Sequence, residues 1–255
     1  MTRILVIARN TFRETLRDRI LYNLLFFGLL MIGSAILLGS LTIGEQARLI
    51  KDIGLAGINI FGVLIAIFVG IGLVSKEIER RTIYSILAKP IHRAEFLLGR
   101  YLGLAATLAV NSVVMAAGFC LTLVVGQVEL DLSLLSAVGL IVVELLVITA
   151  MAVLCSTFTT PMLSATFTLS LYVIGHLTDD LRTLGAKLQH GPTTWLLDGL
   201  YYTLPNLDYF NVKAQVAHGI AIESSYLWSA WAYGTAYCAV LLLLACVIFQ
   251  QREFR

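Results

Sequence analysis

The chain has 255 residues, of which 58% are hydrophobic and only 13% charged, with a formal net charge of +2. A water-soluble domain carries about one quarter charged residues, so these figures exclude one and indicate an integral membrane protein whose solvent is mostly lipid. So small a net charge gives no sign of a nucleic-acid partner.

The elements follow in chain order. In the N-terminal stretch, residues 1–19, Ile4, Leu5, Ala8, Phe12 and Leu16 recur at helical spacing, while Arg9, Arg13 and Arg17 form a separate i, i+4 row. That pattern predicts an amphipathic helix lying at the membrane surface. Crossing the hydrocarbon core takes roughly 20 apolar residues in a helix. Six runs qualify, at about Ile20–Leu41, Ile53–Val74, Tyr101–Gly126, Leu134–Thr157, Pro161–Leu177 and Leu227–Phe249. Backbone polar groups find no water inside a bilayer, so these runs must be helical. The first is of full membrane length and has no small-residue cleavage site after it, which reads as a retained span. The expected fold is therefore all-α: a single polytopic membrane domain, residues 1–255, with six transmembrane helices.

The loop between the second and third runs is unusual. Residues 75–100 hold six Lys/Arg and three Asp/Glu. Ile78, Ile83, Ile86 and Leu87 share a helix face, Glu77, Glu79, Arg80 and Arg81 cluster at its start, and Pro90 forbids its continuation. A short amphipathic helix, a break and a second helix rising into the membrane are expected. With both termini on one side, that side carries 13 Lys/Arg and the other 5. Basic residues accumulate in the cytosol, so both termini and residues 75–100 are expected there. Residues 178–226 then form an extracytoplasmic segment, with a short interfacial helix around Trp195, Leu196, Leu200, Tyr201 and Leu204 that ends at Pro205. Trp228 and Trp231 belong to the outer aromatic belt.

Few polar groups interrupt the apolar runs. Glu144 lies near the middle of the fourth, Asn111 at a comparable depth in the third, and Asn59 in the second. A charge at mid-membrane costs about 2.5–3.5 kcal/mol on insertion scales, so Glu144 is expected to face the protein interior, with Asn111 in hydrogen-bonding reach. These three either line a translocation path or glue helices together. Gly99 and Gly103, spaced as GxxxG, allow close helix packing. Cys120, Cys155, Cys238 and Cys246 all fall in apolar runs without ligand spacing and read as small buried hydrophobes. His176, His190 and His218 likewise lack metal-ligand spacing, so no metal is expected.

The segment after the second run also resembles a known family, the type-2 ABC exporter permeases, which are membrane subunits of bacterial ATP-driven exporters, including those of the multicopper-enzyme-maturation type. The resemblance rests on Glu77-Ile78-Glu79-Arg80-Arg81-Thr82-Ile83, on Lys89-Pro90-Ile91-His92-Arg93, and on Glu95-Phe96-Leu97-Leu98-Gly99-Arg100-Tyr101-Leu102-Gly103. Arg81 stands where many relatives have Gly. In outline the likeness covers the whole chain, and Leu204-Pro205-Asn206-Leu207-Asp208 also looks like a family feature. It implies that the charged segment contains the coupling helix, with Glu77, Glu79, Arg80, Arg81, Thr82, Ile83, Leu87, Pro90 and Arg93 contacting an ATPase. It also implies a second permease copy, identical or related, in the bacterial inner membrane. The phosphate-cradling loop GxxxxGK[ST] appears nowhere in the sequence. ATP would then be bound by a separate ATPase subunit, leaving this chain a transport subunit, not an enzyme, with no cofactor of its own. A self-contained secondary transporter or a structural membrane partner is the alternative, although no internal repeat supports the former.

Overall fold

The computed structural model describes residues 2–42, 45–79, 92–178, 183, 199 and 204–251. Its elements are α1 (Thr2–Thr15), α2 (Arg19–Ser40), α3 (Gln46–Glu79), α4 (Arg93–Val125), α5 (Leu132–Phe158), α6 (Pro161–His176), a 3-10 turn (Asp208–Phe210), α7 (Lys213–Ala217) and α8 (Ser224–Gln251). No strand occurs among the described residues.

The helix starts follow local chemistry. Asp18 caps α2 by accepting a hydrogen bond from the Ile20 amide at 3.0 Å, and Asp131 caps α5 through the Ser133 amide. Donors from Ser133 hold the Asp131 carboxyl below the usual carboxylate range. Pro161 opens α6 at a position where its missing N–H costs nothing. At the end of α4, Gln127 takes a left-handed conformation (φ 54°) and the Val128 amide turns back to the Leu123 carbonyl at 2.9 Å. This closes the helix and reverses the chain toward α5.

Among the described residues, five helices, α2, α3, α4, α5 and α8, are long and apolar enough to cross a membrane. Their outward faces are what lipid requires and water would penalise: Leu37 is 71% exposed, Val113 68% and Leu243 66%. The fifth apolar run, Pro161–Leu177, behaves differently. Its helix α6 has 16 residues, about 24 Å at 1.5 Å per residue, short of the roughly 30 Å core. Several spans also outrun their apolar stretches: α3 begins at Gln46 and α4 at Arg93.

Helix α5 is the axis of the bundle. It packs on α3, α4, α6 and α8, and residues along its whole length are buried. Val143 of α5 faces Gly234 and Gly139 faces Trp231, so α5 and α8 run in the same direction. Leu145 faces Gly62 and Ala152 faces Gly70, so α3 does too. We call the end of the bundle that carries α1 its base and the opposite end its far end. The stretch 205–212 does not lie on the far surface. It folds along the first turns of α8, where Tyr233 Oη accepts from the Asn206 amide at 2.9 Å and Tyr226 Oη donates to the Tyr209 carbonyl at 2.6 Å.

Of the cysteines, Cys155 and Cys238 are buried and Cys246 is half-buried, but Cys120 is exposed. That corrects the expectation of four buried thiols. Cys120 lines an apolar cleft of about 230 Å³ between the far ends of α4 and α5.

Candidate functional site

Two groups of side-chain contacts stand out in the apolar bundle. The first lies in its interior. The Glu144 side chain is fully buried and Asn59 is 1% exposed. Asn59 Nδ2 donates to Glu144 Oε2 at 2.7 Å, joining α3 to α5. Tyr172 Oη donates to Asn59 Oδ1 at 3.1 Å, adding α6. His176, one turn further along α6, stacks on the Tyr172 ring with centroids 4.6 Å apart. Its Nε2 faces Glu144 Oε1 at 3.4 Å, and its Nδ1 lies 3.2 Å from the Tyr172 carbonyl. Four side chains from three helices therefore form a ring.

The ring depends on α6 being short. Glu144 lies 14 residues before Phe158, and His176 lies 15 residues after Pro161. In an antiparallel hairpin turning at Thr159–Thr160, that count places the last residue of α6 level with Glu144. The Leu207 amide donates to the Gly175 carbonyl at 3.0 Å. A methyl group on Gly175 would sit 2.8 Å from Leu207 Cγ and 3.0 Å from the Pro205 carbonyl, so only glycine lets the returning strand approach this closely. The returning strand also brings Asp208 and Lys213 near enough to act electrostatically on Glu144 and His176. Burial pushes the Lys213 ammonium below its ordinary value, while Glu144 and Asp208 act in the opposite sense.

Asn111 does not join the ring, contrary to the expectation from its depth. Its Nδ2 donates to the Thr107 carbonyl of its own helix at 2.9 Å. The reason is geometric: α3, not α4, presents its amide to the carboxyl, and α6 covers the other oxygen. Tyr172, His176, Asp208 and Lys213 were not read from the sequence as partners of Glu144. The one available signal was the residue count on either side of Thr159–Thr160.

The second set lies at the base. Gly99 and Gly103 face α1. A methyl group on Gly103 would meet the Ala8 carbonyl and Thr11 Cβ at 2.6 Å, and one on Gly99 would meet Ile7 Cβ at 2.8 Å. The buried face of α1 therefore runs through Ile7, Ala8, Thr11 and Thr15, whereas Leu5 and Val6 point outward at 65% and 68% exposure. Beside this seam Arg100, only 3% exposed, donates to Glu14 Oε2 at 3.0 Å and lies 5.3 Å from the Phe96 ring centroid. At the first residue of α4, Arg93 Nη1 donates to the Phe249 and Gln250 carbonyls, both at 3.2 Å. These belong to the last described turn of α8, at the negative end of the helix dipole, where a cation is favoured.

The remaining residues expected to meet an ATPase are less completely described. Glu77 and Glu79 belong to the last turns of α3, with side chains outside the described portion. Arg80, Arg81, Thr82, Ile83, Leu87 and Pro90 lie outside the described residues. No group of three or more His, Cys, Asp or Glu suited to a metal occurs among the described residues.

The family described as ABC-2 family transporter protein matches residues 5–254. No curated protein matches the chain.

Proposed function

Because the chain belongs to the ABC-2 family of transporter proteins, we propose that it is the membrane-spanning permease subunit of a bacterial ABC exporter, driven by ATP hydrolysed in a separate subunit. The single observation that carries this reading is the family match across nearly the whole chain. In this reading residues 1–19 form a cytosolic interfacial helix and residues 75–100 the cytosolic coupling segment. Residues 178–226 form the extracytoplasmic segment, although 205–212 dips back along α8. The fifth of the six crossings is made by α6. Two permease copies, identical or related, pair in the inner membrane with both termini in the cytosol.

Coupling then has a physical route. The ATPase presses on the segment around Glu77, Glu79, Arg80, Arg81, Thr82, Ile83, Leu87 and Pro90. Arg93, immediately after it, passes the motion to α8 through the Phe249 and Gln250 carbonyls. This makes Arg93 an internal transmission contact in addition to a neighbour of the ATPase. Glu144 and Asn59 hold α3, α5 and α6 together, which favours the helix-glue role over a lining of the path.

Affinity purification from the native membrane with a C-terminal tag, followed by mass spectrometry, tests the partnership. A stoichiometric chain carrying GxxxxGK[ST] is expected. Repeated absence of any ATPase after mild cross-linking would favour a self-contained transporter or a structural protein. Ile83→Asp with Leu87→Asp should reduce ATPase association while leaving membrane insertion intact.

A further inference from the structure

The direction of each hydrogen bond in the buried ring can be worked out from chemistry alone. A tyrosine hydroxyl donates to Asn59 Oδ1, so the other end of that amide is its NH₂, which donates to Glu144 Oε2. The Tyr172 carbonyl can only accept, so His176 Nδ1, 3.2 Å away, carries a hydrogen. In a neutral imidazole the second nitrogen, Nε2, is then a bare acceptor. It faces Glu144 Oε1 at 3.4 Å, and neither atom has another hydrogen-bond partner among the described residues. An ionised carboxylate and a bare ring nitrogen would be two buried acceptors pointed at each other, which is repulsive and leaves both unsatisfied.

One proton removes the conflict. On Oε1 it makes an O–H···N contact between neutral groups; on Nε2 it makes an imidazolium–carboxylate pair. Either way the Oε1–Nε2 contact becomes a hydrogen bond and the net charge of the ring is zero: with the proton on Oε1 each member donates to the next, and with it on Nε2 the Glu144 carboxylate accepts from both sides. We infer that Glu144 and His176 together hold one exchangeable proton inside the bundle, a proton-binding site assembled from α5 and α6 and closed by Asn59. The other ionisable groups acting on the pair are Tyr172 on α6, Asp208 in the 3-10 turn and Lys213 on α7. Asp208 and Lys213 carry opposite charges and act on the pair in opposite senses. Helix α3 contributes only the neutral Asn59. Loss of the proton to a base in the solvent leaves the two acceptors facing and loosens the end of α6, together with the strand that Gly175 holds against it.

The sign of the pH effect follows by linkage. In an unfolded chain Glu ionises near pH 4.3 and His loses its proton near 6.5, so above about pH 6.5 the unfolded pair holds no proton while the folded pair holds one. Folded protein then binds more protons, and stability falls as pH rises until the folded pair releases its own. Below about pH 6.5 the unfolded state holds a proton as well and the slope disappears.

The test is NMR on the full-length protein in lipid nanodiscs, with ¹⁵N in histidine rings and ¹³C in glutamate carboxyls. His176 is assigned by difference against His176→Asn. The expected result is a protonated Nδ1 throughout, with the Glu144 carboxyl and His176 Nε2 changing together in one step above neutral pH. In Glu144→Gln the side-chain amide can donate to Nε2, so His176 should remain neutral through that range and the alkaline fall in melting temperature should vanish. An ionised Glu144 carboxyl beside an unprotonated Nε2 at pH 7.5 would overturn the inference, as would a His176 titration unaltered by Glu144→Gln. If that variant does not fold, the wild-type carboxyl and ring shifts decide the matter from one sample.

Discussion

Inside the bundle, Tyr172, Asn59, Glu144 and His176 close on one another. At its base, Glu14, Arg93 and Arg100 each reach from one element to another that is distant in sequence. The interior ring is built from three helices that also share extensive apolar contact, so its hydrogen bonds add specificity to a packing that already exists. The base contacts sit at the edges of the packing: Arg100 adds a charged contact beside the glycine seam between α1 and α4, and Arg93 joins the start of α4 to the last turn of α8. Closed networks buried among packed helices resist motion, whereas single charged contacts at helix ends can shift without unfolding the core. The difference separates a part of the molecule that fixes helix positions from a part suited to receiving a push.

Breaking the ring should give the largest effect. Glu144→Ala strands the Asn59 amide and His176 Nε2 in the interior and should cost about 3–5 kcal/mol, seen as loss of folded protein in detergent. Next comes the seam under α1. Gly99→Ala with Gly103→Ala forces new methyl groups against the α1 backbone and should cost about 1–3 kcal/mol. It should also abolish a disulfide cross-link engineered between α1 and α4. Arg93→Ala removes a charged cap from the α8 carbonyls and should cost only about 1 kcal/mol, yet it should sever transport from hydrolysis. Smallest is Asn111→Leu. Its amide serves its own helix alone, so the melting temperature should change by less than Asn59→Leu changes it, by about 1 kcal/mol or less. Equal effects of the two asparagine substitutions would erase the distinction between ring and bystander.

How much of this was legible in the sequence varies from residue to residue. The apolar runs located every long helix, because lipid leaves the backbone no alternative to helical hydrogen bonding. Their ends were less visible: α3 and α4 extend past the apolar runs into amphipathic turns that hydropathy does not register. Glu144 and Asn59 stood out as polar residues in apolar surroundings, and they do meet. Asn111 stood out equally and does not, since depth along a helix says nothing of which face a side chain occupies. The pairing of Gly99 and Gly103 with α1 was hidden because the partner lies about ninety residues away in sequence. His176 was seen only as a stray histidine. Its significance comes from the shortness of α6 and the sharp turn before Pro161.

The most direct measurement concerns the base. Spin labels at Tyr22 on α2 and Gln251 on α8, both exposed, report the position of α8 in the transporter reconstituted with its ATPase. Distances are measured without nucleotide and with the nucleotide state trapped, in wild type and in Arg93→Ala. If Arg93 carries the push into α8, trapping changes the distance in wild type and leaves it unchanged in the variant. An equal change in both would show that α8 is driven by another route and that Arg93 only caps a helix.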